Sequence, residues 1–379
     1  MFLSGICILE KYITLWIRIL TETGNGQEFT LVTSFKKVIF FICILFSSTA
    51  LFADVEVEEY TVIPYSDRSE VEKYINLYKS SRWQSILYKD LEDSMEYRLY
   101  VRKVLQEKNL PFYLEYLPVV ESNYKTTAKS SSGAIGMWQF MANSVKPFLT
   151  LNEFIDERYD PWKSTDAAMA KLMDNYNFFG DWLLAIAAYN CGAGAMSKAL
   201  KKAGEKDYWY LVEHKLLSSQ TCQYIPKLLA IAELAENATY YQLDLPAHKE
   251  EFELLYNETN AIFDYVQVDK AYSITALAGQ MRIDSDTLKK LNPSFIKGIT
   301  HPSQLCSIRV PKGMEESAEE ALTKLTPIEF PFKYTVVQGD SLWSISRRFG
   351  VSLASLCETN GIKENDILKI GKILYIPSK

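Results

Sequence analysis

Residues 111–122 read Pro-Phe-Tyr-Leu-Glu-Tyr-Leu-Pro-Val-Val-Glu-Ser. Helical spacing sets Glu121 three residues after Pro118 and four after Leu117, on a face that continues through Leu114. A carboxyl on an apolar helix face is unusual. Lost solvation raises its pKa, and an acid still protonated near neutral pH is suited to giving a proton to a leaving oxygen. Taken alone, Glu121 reads first as a helix-end glutamate facing water. The residues that follow decide between the two.

Downstream lie Ser130 and then Gly133-Ala-Ile-Gly-Met-Trp-Gln-Phe-Met141, an apolar loop with two glycines and a single amide, Gln139. Glycine lets backbone come close to a ligand. Leu183-Leu-Ala-Ile-Ala-Ala-Tyr-Asn-Cys-Gly-Ala-Gly194 reads as a small-residue helix that stops at Tyr189 and Asn190. Singly, each of these is a helix stop, a turn or a tight packing site. Val71 to Leu110 and the 120 or so residues after it carry apolar residues at three- and four-residue intervals, with Gly and Pro at plausible helix ends. The chain is therefore expected to be mainly α up to about residue 240.

Beyond that point a repeat appears. Leu277, Met281, Ile283, Leu288 and Asn292 have the same spacing as Ile345, Phe349, Val351, Leu356 and Asn360, and strand-like segments flank each set. Two small βααβ modules follow from that register. Glu315 to Lys324 reads as an exposed helix, and Thr326 to Phe332, with two prolines, as a linker.

The 379-residue chain, 48% hydrophobic and 23% charged, has room for several globular domains, and its net charge of -6 argues against nucleic acid as a partner. Lys36 and Lys37 precede an apolar run, Val38 to Phe46, and small residues at Ser47 to Ala50 and Ala53, the pattern of a signal peptide. Residues 1–33 before it read as an over-long start. His214, His248 and His301 lie far apart without clustered ligands, so no metal is expected. Cys191 and Cys222 are the one cysteine pair whose bridging is worth checking.

Glu121-Ser122, Gly133 to Met141, Ala188-Tyr189-Asn190 and Tyr224-Ile-Pro-Lys227 occur in the order and spacing of one family. Together with Asp156-Glu-Arg-Tyr-Asp-Pro161, Ser164 to Ala168 and Gly180-Asp-Trp182, they resemble the soluble lytic transglycosylase domain over roughly residues 75–245. The subgroup indicated is the D type of the membrane-bound murein transglycosylases, in which LysM units follow the catalytic domain. Tyr334 to Ile345, Phe349-Gly-Val351 and Leu374 to Pro377 resemble the LysM family.

These resemblances imply a lysozyme-like helical domain over 111–245, preceded by a leader (1–53) and a helical region (54–110). They place a degenerate LysM-like module at 262–312, a linker at 313–332 and a LysM module at 333–378. They also imply Glu121 as catalytic acid and base, with Ser130, Gln139, Met141, Tyr189, Asn190 and Tyr224 at the substrate; Tyr189 is expected to bond near Glu121, and Asn190 to hold the turn. Gly339, Asp340, Ser341 and Leu342 should form one wall of a glycan groove, and Asn365 and Ile367 the other. The first module has Lys270-Ala271-Tyr272 in place of the Gly-Asp-Ser turn. The chain also departs from the family at Gln220-Thr-Cys-Gln-Tyr224, where Glu-Thr-Arg is usual before the tyrosine.

The implied substrate is the glycan strand of peptidoglycan, met in the periplasm or cell envelope, with no cofactor. Most glycosidases pair two carboxylates. No partner for Glu121 stands out, since Asp156, Glu157 and Asp160 resemble a structural motif. Chemistry assisted by the substrate's N-acetyl group, ending in a 1,6-anhydro ring, needs only one. Hydrolysis as in a muramidase and a non-catalytic wall-binding protein are the two alternatives.

Overall fold

The computed structural model describes residues 60–246, 263–329 and 332–377; the expected leader and His248 lie outside them. Three amphipathic helices come first, α1 (Ser69–Tyr78), α2 (Ser81–Asp93) and α3 (Met95–Glu107). The stretch at 111–122 is a 3-10 turn, Phe112–Tyr116, running into a short helix α4 (Leu117–Ser122). Asn123 and Tyr124 then take positive φ values, 54° and 58°, so the helix ends at Ser122, one residue after Glu121.

Local signals set the next helices. Asp160 caps α5 (Pro161–Phe179) by accepting from the Lys163 amide at 2.9 Å, Pro161 occupies the first turn, and Gly180 at φ 75° ends it. Asp181 caps α6 (Trp182–Cys191) in the same way. Every residue of α6 from Leu183 to Tyr189 is buried, the mark of a helix at the centre of a domain. Each such leucine or isoleucine contributes about 1.5–3 kcal/mol by leaving water. Helices α7 (Ala193–Ala203), α8 (Tyr208–Glu213) and α9 (Ser219–Glu236) pack around it. One core contains Val71, Leu91 and Leu105 together with Leu114, Ile186 and Leu229, so the packing has no break at residue 110. Cys191 and Cys222 are free thiols.

In the first repeat, β1 (Phe263–Val268) pairs antiparallel with β2 (Cys306–Pro311) around α10 (Ile274–Met281) and α11 (Ser285–Leu291). The second pairs β3 (Phe332–Thr335) with β4 (Ile373–Ile376) around α13 (Leu342–Phe349) and α14 (Leu353–Asn360). The same asparagine closes both. Asn292 donates to the carbonyls of Leu288 and Arg309 and accepts from the Arg309 amide; Asn360 does so with Leu356 and Tyr375.

The stretch expected to be an exposed helix and linker differs in its first half. Helix α12 (Glu315–Lys324) turns Ala318 and Ala321 into the core of the first repeat, because the two small side chains let it lie close against the sheet.

Candidate active site

Glu121 ends α4 facing α5, α6 and α9. Tyr224 of α9 donates its hydroxyl hydrogen bond to Glu121 Oε1. The residue keeps some solvent exposure, yet its carboxyl sits among enough protein atoms that desolvation pushes its pKa up to about 7. The Tyr224 bond and the charge of Lys171 hold it from going higher. Near neutral pH the group therefore exists in both forms, as a residue that first gives and then takes a proton requires.

Tyr189 differs from its expected place. Its hydroxyl donates to the Trp138 carbonyl at 2.8 Å, and it feels Glu121 only through charge. Direct contact with the carboxylate falls instead to Tyr224, expected only at the substrate. The reason is geometric: α9 packs against the end of α4 with the Tyr224 hydroxyl at the carboxyl, whereas the Tyr189 hydroxyl is spent on tying α6 to the loop. Asn190 accepts from Thr221 Oγ1 at 3.0 Å, joining α6 to α9.

The loop from Gly133 to Met141 is held at its start and its middle. Ser130 Oγ accepts from the Ala134 amide at 3.0 Å, and Ser122 Oγ, next to Glu121, donates to the Met137 carbonyl at 2.8 Å. Gln139 sits at φ 49° with its amide donating to the Gly136 carbonyl, and Met141 is partly exposed at the loop's end. Gly136 has a specific cause. A Cβ there would lie 1.8 Å from the Arg158 carbonyl oxygen, so no other residue fits.

Three features escaped the sequence reading. Lys171 reaches from α5 over the rings of Tyr189 (5.0 Å) and Phe140 (5.3 Å), and burial lowers its pKa while Glu121 opposes that. Its midhelix position carried no motif. Arg158, paired with Asp156, sends its guanidinium to the carbonyls of Gly133 and Phe140, so the acidic stretch at 156–160 supports the loop and supplies no second acid. Behind α4, Glu115 takes Arg98 and Arg102, and Glu236 takes Arg102 and Tyr116, in a buried network. Glu115 stands in the quoted stretch, but nothing local announces its partners 17 and 13 residues upstream.

In the second repeat, the expected wall is mostly scaffold. Asp340 accepts from the Val337 amide (2.9 Å) and the Tyr334 hydroxyl (2.7 Å), which hold its carboxyl below the usual range. Gly339 takes φ 88°, Ser341 caps α13, and Leu342 is buried. Asn365 and Ile367 lie exposed on the facing loop, Ile367 at 93%. The sequence reading missed Trp343, 61% exposed.

Residues 100–212 match the family Transglycosylase SLT domain, residues 334–377 the LysM domain, and residues 262–326 the family described as Lytic transglycosylase MltD, LysM-like domain. The chain is 31% identical over 334 residues to membrane-bound lytic murein transglycosylase D of Escherichia coli K12, covering 83% of this chain and 70% of that protein. Over 43 residues it is 44% identical to the N-acetylmuramoyl-L-alanine amidase XlyA of Bacillus subtilis, 11% of this chain and 14% of that one. The 70 kDa soluble lytic transglycosylase of Escherichia coli aligns in structure over 45% of this chain and 33% of its own, at 21% identity and a TM-score of 0.34.

Proposed function

Since this chain belongs to the membrane-bound lytic murein transglycosylase D family, we propose that Glu121 carries out both proton transfers of its reaction. The enzyme cleaves the β-1,4 bond between N-acetylmuramic acid and N-acetylglucosamine in peptidoglycan, leaves 1,6-anhydro ends, and holds the wall through LysM. Protonated Glu121 gives its proton to the glycosidic oxygen as the bond to the anomeric carbon breaks. The substrate's N-acetyl carbonyl oxygen stabilises that carbon. Glu121, now a carboxylate beside Lys171 and Tyr224, takes the proton of the muramyl 6-hydroxyl as its oxygen bonds the same carbon. Ser130, Gln139 and Met141 line the cleavage position, with Asn190 holding the turn beside it.

One observation carries this reading: among the described residues, what acts on the Glu121 charge is a tyrosine and a lysine, not a second carboxylate. With no second acid to activate water, an internal hydroxyl held beside the reacting carbon has the advantage of proximity. Glu121→Gln is expected to lower turnover by at least a thousandfold while glycan binding survives, and the wild-type rate should fall as pH rises above about 7, where the acid is lost. Digestion in oxygen-18 water should yield unlabelled ends one water lighter than hydrolytic ends. Heavy oxygen in most new ends would make the enzyme a muramidase, and a Glu121→Gln variant within tenfold of wild type would remove Glu121 from the mechanism.

The signal-peptide pattern before residue 54 supports export to the periplasm or envelope. Among the described residues no helix is long and apolar enough to cross a membrane.

A further inference from the structure

The segment from 150 to 161 has two sides, and both are in use. Toward the cleft, Arg158 holds the Gly133 and Phe140 carbonyls and its own carbonyl fills the gap beside Gly136. On the other side the same segment is joined to the first repeat by backbone. The Asp156 amide donates to the Ser294 carbonyl at 2.9 Å, the Ile296 amide donates to the Phe154 carbonyl at 3.1 Å, and Ile155 bridges Phe295. Phe154 and Ile155 are buried in the core of the repeat, beside Val266 and Ile308. Asp160, wholly buried, caps α5 with one oxygen and accepts from Arg309 of β2 with the other. Arg309 lies over the rings of Trp162 (4.7 Å) and Phe263 (5.0 Å).

We infer that the first repeat is a working part of the catalytic unit, in which Arg309 is a positioning residue that holds segment 153–160, and through Arg158 the loop from Gly133 to Met141, in register with Glu121. A buried ion pair adds little stability over an apolar one, but it tolerates few geometries. The contact at Gly136 leaves no slack, so a displaced Arg158 carbonyl displaces the loop. Misplacement by about 1 Å at a reacting centre costs up to about a hundredfold in rate.

The sugar groove of this repeat is closed by related contacts. Ser273 bridges Ile299, the Tyr272 amide donates to Thr300 Oγ1 at 2.8 Å, and Thr300 Oγ1 donates to the Lys270 carbonyl at 2.6 Å. These bonds zip together the two loops that form separate walls in the second repeat. Gly361 of the second repeat packs on Ile296 and Lys297, and Glu358 accepts from Ser273. The first repeat thus packs against the catalytic domain on one side and the second repeat on another.

This inference rests on the cleft around Glu121 being where cleavage occurs, and the test separates the two claims. In the full chain carrying 13C-methyl methionine, Met137 and Met141 report the loop directly. Arg309→Met is expected to shift both signals and to lower kcat on soluble glycan oligomers about tenfold, measured well below its unfolding temperature, with wall binding kept; Arg309→Lys should recover part of the rate. Phe295→Ala, which loosens the bridge to Ile155 without stranding a charge, should do the same more weakly and decides the matter if Arg309→Met does not fold. Rates within twofold of wild type in every folded variant overturn the inference, as does a fall in kcat with the methionine signals unmoved. The signals report the coupling whichever residue is the acid, whereas Glu121→Gln bears on the cleft alone.

Discussion

The two repeats share one fold and one asparagine clamp, yet they are put to opposite uses. In each, the residue that the asparagine grips by its backbone points its side chain at the catalytic domain: Arg309 reaches Asp160, and Tyr375 reaches Glu153. The contact of the first is buried and ionic, with backbone bridges around it. That of the second is partly exposed, with Phe154 4.7 Å from the Tyr375 ring and Lys333 3.6 Å from Glu153. The first repeat has closed its loops, and Thr275 stands where the second repeat has the exposed Trp343. A duplicated module therefore keeps its internal clamp while its outward residues decide whether it grips sugar or protein.

The strongest way to break this contrast is to remove the acid that only the first repeat uses. Asp160→Ala takes away a helix cap, worth about 1 kcal/mol, and leaves Arg309 buried without its carboxylate, worth about 3–5 kcal/mol. Urea unfolding should show a loss near that sum. A loss below about 1 kcal/mol would mean that the dock contributes no more than a surface pair.

Next come the matched variants Asn292→Ala and Asn360→Ala. Each strands one amide and one carbonyl of the neighbouring strand, at about 1–3 kcal/mol per group. Their costs should be alike, but their consequences should differ: Asn292→Ala lowers turnover on soluble glycan, while Asn360→Ala lowers retention on insoluble wall. If both variants lose the same activity, the division of labour is wrong.

The smallest effect is expected at the exposed face of the second repeat. Trp343→Ala should weaken wall binding about two- to tenfold, in line with about 0.5–1.5 kcal/mol for one aromatic contact, without changing the unfolding midpoint. Thr275→Ala, at the matching position of the first repeat, should leave binding unchanged. Equal losses would show that both repeats hold sugar.

Much of the site was legible because its signals are local. A carboxyl on an apolar face, glycines in an apolar loop, and a repeat register that ends on Asn292 and Asn360 can each be read from a few neighbouring residues. What could not be read depends on side chains meeting across long separations. Tyr224 rather than Tyr189 touches Glu121 because of how α9 lies against α4. Asp160 looks like an ordinary cap until Arg309, 149 residues later, is seen on its other oxygen.

The sequence by itself determined the helical class, the apolar loop and the duplication, because periodicity and backbone freedom act within a turn or two of the chain, and it singled out Glu121 only through the order and spacing of several motifs taken together. Only the tertiary structure decided which tyrosine touches Glu121, which groups the segment from Asp156 to Asp160 braces, and that the first repeat faces inward. Those outcomes turn on desolvation and ion pairing, which depend on what surrounds a charge in space, and one buried neighbour changes them where no local pattern does.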